Sequence, residues 1–277
     1  MRPYRSLPTL ADAPEVLDGG HLWLQEYVPG PVLAVAVEES GLLRFGIDGR
    51  EIEPPPPSLE RSVEHLRRTF DRDRFREGVD DVTEFVFYGT VTRNEGHPYE
   101  WSDLAPFLGL DIWSAEEDRY VAPDVAERVF AAVGVDPLPA FRKELPVSQF
   151  DPERYTVPES HWDDRQAAGV VVRNKSGGMG LLRTATFSPA TDPPDELETV
   201  VLPLVSQHID RILVELGTDV CAVDVDVLTD RIRAVVARVA YADLAPLLES
   251  RPEAFQETVG DAVRSIVRMR VSDGERA

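Results

Sequence analysis

Apolar positions along the chain fall into two rhythms. The stretch HLWLQEYVPG (21–30) leads directly into PVLAVAVEESGLLRFG (31–46), an apolar run, a glycine-containing turn and a second apolar run. Its bend offers a tyrosine and a proline where a polar group is usual. Leu59, Val63, Leu66 and Phe70 then recur at helical spacing with Arg and Glu between them, which predicts an amphipathic surface helix over 59–77. Short β-branched or aromatic runs bounded by Gly, Asp or Pro predict strands at VTEFVFYGTV (82–91), FLGLDIW (107–113) and AGVVVRN (168–174). Val125, Val129, Phe130 and Val133 mark a helix over 123–133. From Pro193 onward Leu197, Val201, Leu204, Ile209, Ile212 and Leu216 describe helices, followed by helical stretches at 223–248 and 252–269, and no strand pattern returns. Pro54–Pro57 reads as an extended, exposed connector. The expected architecture is α+β, with a mainly antiparallel domain over 1–190 and a small helical domain over 191–277.

Composition narrows the setting. At 277 residues and 43% hydrophobic content the chain can bury a real core. Cys221 is its only cysteine, which excludes an intrachain disulfide and a thiolate metal cluster and fits a reducing compartment. The amino terminus lacks a basic-then-apolar leader, and no apolar run approaches the ~20 residues that span a bilayer. A soluble, cytoplasmic protein without a membrane partner is expected. Fifty acidic against 29 basic residues give a formal charge of -21, and Lys143 and Lys175 are the only lysines. Such a balance ordinarily opposes nucleic-acid binding, which draws on clustered Lys and Arg. Acids spread along the whole chain also suit a halophile-like surface, where the Debye length shrinks to about 3 Å and net charge ceases to select partners.

Four segments, in their order and spacing, carry a resemblance. WLQEYVPG with GLLRFG, then VFYGTV, FLGLDIW and AGVVVRN, resemble the motifs of the nucleotidyltransferase domain of ATP-dependent RNA ligases, relatives of DNA ligases and mRNA capping enzymes. The resemblance covers most of residues 20–190 and implies a domain of mainly antiparallel sheets flanked by helices. In that family a lysine attacks the α-phosphate of ATP and carries AMP as a phosphoramidate; an amine suits this once nearby cations lower its pKa. The first motif reads Lys, any residue, Asp, Gly. Here the matching positions are Tyr27, Val28, Pro29 and Gly30. The ribose-binding glutamate of the third motif corresponds to Thr90, and the metal-serving glutamate of the fourth to Ala168. The fifth motif, within NKSGGMGLLRTATF (174–187), sets Leu181 where the family has a lysine. What the resemblance retains is scaffold: Gly30, Gly89, Gly169 and their apolar neighbours.

The remaining candidates are weighed against plainer roles. Tyr27 is a phenol with an ordinary pKa near 10, which makes it a poor nucleophile and a good packing group. Lys175 follows the fourth-motif strand, where an exposed loop lysine or a phosphate contact outweighs a relocated nucleophile. Arg44, Arg50, Arg93 and Arg173 lie on or beside the motif strands, either lining a nucleotide or RNA groove or pairing with surface carboxylates. Phe107 is set where relatives stack an aromatic on adenine, or in the core. His161, Trp162, Asp163 and Asp164 read as a polar loop, and His21, His65, His97 and His208 match no ligand spacing, so no metal site is expected.

Residues that act as one catalytic unit are not additive, so loss of the nucleophile alone removes nearly all turnover and frees the others to drift. The resemblance therefore implies a scaffold that has abandoned self-adenylation and serves as a binding or regulatory module, on RNA or nucleotide or beside an active ligase paralogue or another protein. Two alternatives stand beside it: an active RNA ligase with rearranged residues, which would need ATP and Mg2+, and a structural protein-interaction module.

Overall fold

The structure is a computed structural model that describes residues 1–184, 192, 194 and 196–274. The chain divides into two compact units, Met1–Pro54, Ser62–Thr92 and His97–Phe187 in one, Pro55–Arg61, Arg93–Gly96 and Ser188–Ala277 in the other. The boundary expected between 190 and 191, and residues 185–187 of the fifth-motif stretch, lie outside the described residues.

The first unit is built on ten strands: β1 (His21–Glu26), β2 (Val32–Val37), β3 (Leu43–Ile47), β4 (Arg50–Glu51), β5 (Phe85–Val91), β6 (Phe107–Ser114), β7 (Arg119–Tyr120), β8 (Ala140–Pro146), β9 (Gly169–Asn174) and β10 (Met179–Arg183). They form two antiparallel sheets, sheet A in the order β10-β9-β1-β8 and sheet B in the order β4-β3-β2-β5-β6-β7. The apolar runs at 21–26 and 32–37 therefore enter different sheets. Tyr27–Pro31 is the strap between them: the Tyr27 amide donates to the Gly169 carbonyl of sheet A, and the Val91 amide of sheet B donates to the Pro31 carbonyl. Gly30 is required in this strap, because it has φ 151° and a Cβ there would run into the Val91 carbonyl oxygen.

Three helices accompany the sheets: α1 (Pro57–Thr69), α2 (Arg72–Gly78) and α3 (Pro123–Ala132). Pro57, the last proline of the expected connector, is instead the first residue of α1, where a missing N–H costs nothing. The single helix expected over 59–77 is broken in two. Asp71 takes an extended conformation and its carboxylate accepts from the Arg74 amide at 2.9 Å, capping α2. Residues 82–84, expected as strand, form a 3-10 turn capped by Asp81 in the same way. The outer face of sheet B packs on these helices through Phe87, whose ring meets Phe70, Phe75 and Phe130 edge-on at 4.9–5.7 Å. The outer face of sheet A buries Leu22, Leu24, Val170 and Val172 against Leu10, Val16, Phe150 and Val157.

The second unit contains α4 (Leu197–Leu216), α5 (Val225–Val239), α6 (Tyr241–Ser250) and α7 (Pro252–Gly274). Val201, Val205, Ile209, Leu228, Ile232, Leu244, Phe255 and Val263 close its core. The stretch expected as helical over 223–248 is two helices, turned at Ala240. Among the described residues no helix is long and apolar enough to cross a membrane.

Candidate functional site

Strand alternation decides what faces the space between the sheets. Register sets Trp23 opposite Arg173 and Gln25 opposite Val171 on sheet A, with Met179 and Leu181 continuing that face on β10. On sheet B, Tyr88 on β5 pairs with Ala34 on β2 and with Asp111 on β6. The two faces are joined by charge. Arg173 donates to Asp111 Oδ1 at 2.7 Å, to the Leu110 carbonyl at 2.7 Å and to Gln25 Oε1 at 3.2 Å. Both charged side chains are closed to solvent, 3% exposed for Arg173 and 0% for Asp111.

The leading segment of the chain runs into the same space, which no sequence pattern announces. Arg5 donates to Asp111 Oδ2 at 2.7 Å and the Tyr4 hydroxyl to the same oxygen at 3.2 Å. The Tyr4 ring lies 5.0 Å from Tyr88 and 5.7 Å from Tyr120, and it also packs with Val171, Met179 and Leu181 of sheet A. Burial, then the Asp111 charge, push the Tyr4 hydroxyl far above its ordinary pKa, so it stays protonated and able to donate. Arg2 sits over the Trp113 ring at 3.5 Å and Arg5 over Tyr120 at 4.1 Å. The Leu181 amide donates to the Pro8 carbonyl at 2.9 Å, and Thr9 bridges Leu181 in parallel sense.

The five positions that the resemblance assigns to nucleotide and metal chemistry divide between wall and strap. Tyr27 is half-buried, packs with Val171, Met179 and Leu181, and its hydroxyl accepts from Arg183 at 3.2 Å. Leu181 is 5% exposed and Ala168 2%. The Ala168 amide donates to the Tyr99 hydroxyl at 3.0 Å. Thr90 is buried beside Gly30, and Pro29 lies in the strap. None of the five supplies an ammonium or a carboxylate. A magnesium ion needs oxygen ligands; Asp111, the carboxylate between the sheets, is already engaged by Arg173, Arg5 and Tyr4, so these residues do not fit a catalytic metal. Among the described residues no group of three or more His, Cys, Asp and Glu is arranged to hold one.

The candidate contact residues do not converge. Arg173 faces the space between the sheets. Arg44 is exposed and paired with Glu51 and Glu38, and Arg50 is exposed. Arg93 belongs to the second unit, where it bonds Glu95 at 2.7 Å and lies 3.5 Å over the Tyr241 ring. Phe107 is fully buried, with its ring filling the place where a Cβ on Gly89 would stand, so no face remains for stacking on a base. Lys175 is exposed on the β9–β10 turn and bonds Glu144 at 2.9 Å; that hydrogen bond raises its pKa and holds it as an ammonium, the opposite of what a nucleophile needs.

One polar cluster escaped the sequence reading. Glu26 is fully buried, and its carboxylate accepts from the Tyr99 hydroxyl at 2.9 Å and the His161 amide at 3.0 Å, with His161 Nδ1 at 2.7 Å. These bonds pin the 158–166 loop to β1. The available signal was a glutamate closing a strand with three consecutive apolar residues.

No family model matches the chain, and no curated protein matches it in sequence. Solved structures do. A Naegleria gruberi RNA ligase, in a glutamate-to-alanine variant with ATP and manganese, superposes with a TM-score of 0.50 at 12% identity, over 66% of this chain and 56% of the ligase. The same ligase with pyrophosphate gives a TM-score of 0.49 at 13% identity over the same shares. This chain thus spans little more than half the length of the ligase it matches, and the likeness is one of fold.

Proposed function

We propose that this RNA ligase-like fold no longer forms a covalent adduct with AMP and acts by binding rather than by bond formation. The observation that supports the reading is Tyr27. At the position matching the nucleophilic lysine stands a phenol packed on Leu181, Val171 and Met179, with its oxygen turned to Arg183. No side chain at Pro29, Thr90, Ala168 or Leu181 supplies the missing charges. Lys175 is engaged by Glu144 and lies on a turn, and Lys143 is engaged by Glu127, which weighs against a relocated nucleophile.

As a binding module the protein would engage RNA, a nucleotide or a protein partner. The spread of acids favours a high-salt milieu, in which RNA affinity leans on stacking and hydrogen bonds rather than on counterion release. The helices after residue 190 form a small domain of their own in this reading. Incubation with α-labelled ATP and magnesium tests the proposal: it stands if no label survives denaturation on the protein, and falls if one does.

A further inference from the structure

We infer that the space between the sheets is a peptide-recognition groove, filled in cis by the chain's own Arg2-Pro3-Tyr4-Arg5 stretch. This goes beyond the absence of adenylation, because it concerns what the groove holds rather than which reaction it has lost.

Three features of the contact are those of a built recognition site. Main-chain recognition comes first. Pro8 and Thr9, just after the Arg2–Arg5 stretch, meet β10, an edge strand of sheet A, through the Leu181 amide to Pro8 carbonyl bond and the parallel Thr9–Leu181 bridge. Addition of a strand to an open edge gives affinity without sequence preference. Side-chain recognition supplies the preference. Trp113 takes the Arg2 guanidinium on its face at 3.5 Å, and Tyr88 and Tyr120 receive the Tyr4 ring. Finally, Asp111 is a charged floor. Its fully buried carboxylate spends one oxygen on Arg173 and the other on Tyr4 and Arg5, so the segment supplies half of the donors this carboxylate receives from charged groups. A buried carboxylate that relies on an incoming arginine selects strongly for one, since the partner's absence leaves charge under-compensated.

The Arg2 carbonyl also accepts from the Tyr88 hydroxyl at 3.1 Å, which fixes the segment's register as well as its direction. The ligand class that fits is therefore an extended peptide with Arg, Tyr and Arg in the spacing of residues 2, 4 and 5. Tethering presents the chain's own copy at the millimolar effective concentrations of short linkers, so a competing peptide must displace it.

The test uses a fluorescein-labelled nonapeptide with the sequence of residues 1–9 and the full chain, either unaltered or carrying Tyr4→Ala with Arg5→Ala. Fluorescence anisotropy should show the altered chain binding the peptide at least tenfold more tightly than the unaltered chain does. The same peptide with alanine at the positions of Tyr4 and Arg5 should bind at least tenfold more weakly to that altered chain. Equal binding by both chains, or indifference to those two peptide positions, overturns the inference. Hydrogen exchange on the unaltered protein supplies a second measurement that needs no variant. The Leu181 amide should exchange as slowly as the interior amides of β9; exchange at the rate of an unprotected amide overturns the inference too. Neither result bears on the labelled-ATP experiment, so failure here is separable from failure of the proposed function.

Discussion

Arg173 on sheet A and Asp111 on sheet B form a 2.7 Å ion pair with both side chains sealed from water. Two charges taken out of water are costly, and losing one leaves the other uncompensated. Arg173→Met should lower stability by about 3–5 kcal/mol, read from the urea midpoint in molar salt. A loss under about 1 kcal/mol, the range of exposed pairs, would show that this pair is solvated.

The strap between the sheets depends on close backbone approach. Gly30→Ala would drive a methyl into the Val91 carbonyl oxygen, and Gly169→Ala into that of Leu182. Each should cost more than about 2 kcal/mol, as overpacking against backbone does. Gly78→Ala, with nothing within 4 Å of the added carbon, should stay within about 0.5 kcal/mol of the parent. Thermal or urea unfolding of the three variants side by side decides it.

These features differ in how far the sequence disclosed them. The strands at 107–113 and 168–174 were legible because fully buried strands read as mainly apolar runs between turn residues, interrupted here by Asp111 and Arg173. The break at Asp71 was not, since apolar spacing continues through Phe70 to Phe75 and the cap depends on one carboxylate reaching the Arg74 amide. The leading residues RPYRSLPTL carry no period at all. Their placement is set by partners more than a hundred residues away, Asp111 for Arg5 and Met179 for Tyr4. Likewise Glu26 meets His161 across 135 residues, a relationship that local pattern cannot encode. At the positions that the resemblance assigns, the sequence shows only residue types. What the fold adds is that Tyr27 and Leu181 are packed against each other rather than left open.

A histidine gives the fold a pH dependence of known sign. Burial, outweighing the charges of Asp163 and Glu26, holds the His97 imidazole below its ordinary pKa. The unfolded chain therefore binds the proton first. Stability from this site is present above about pH 6.5 and is lost as pH falls through that value toward the lower folded-state pKa. His97→Phe keeps an aromatic ring over Tyr99, 4.2 Å away in the parent, and should flatten the decline in urea midpoint between about pH 7 and pH 5. Because His208 shifts in the same direction in the second unit, the quantity to compare is the difference between parent and variant. Molar salt removes the competing relief of surface repulsion. An unchanged slope would contradict the assignment.

Returning one residue should not return a reaction. Tyr27→Lys places an amine where the resemblance sets the nucleophile, yet Pro29, Thr90, Ala168 and Leu181 would still lack the groups that the resemblance implies for orienting phosphate and ribose. Catalytic units fail as units, so labelled-ATP incorporation by this variant should stay at background. Incorporation above background would mean that the rest of the machinery is present elsewhere in the fold.

The central claim is the absence of a covalent AMP intermediate, and intact-protein mass measurement reaches it most directly. The purified chain would be incubated with ATP and magnesium in molar salt, quenched and weighed without further handling. The account predicts a single species at the mass of the unmodified chain. A second species heavier by one adenylyl group, mapped by fragmentation to Lys175, Tyr27 or any other side chain, would contradict it.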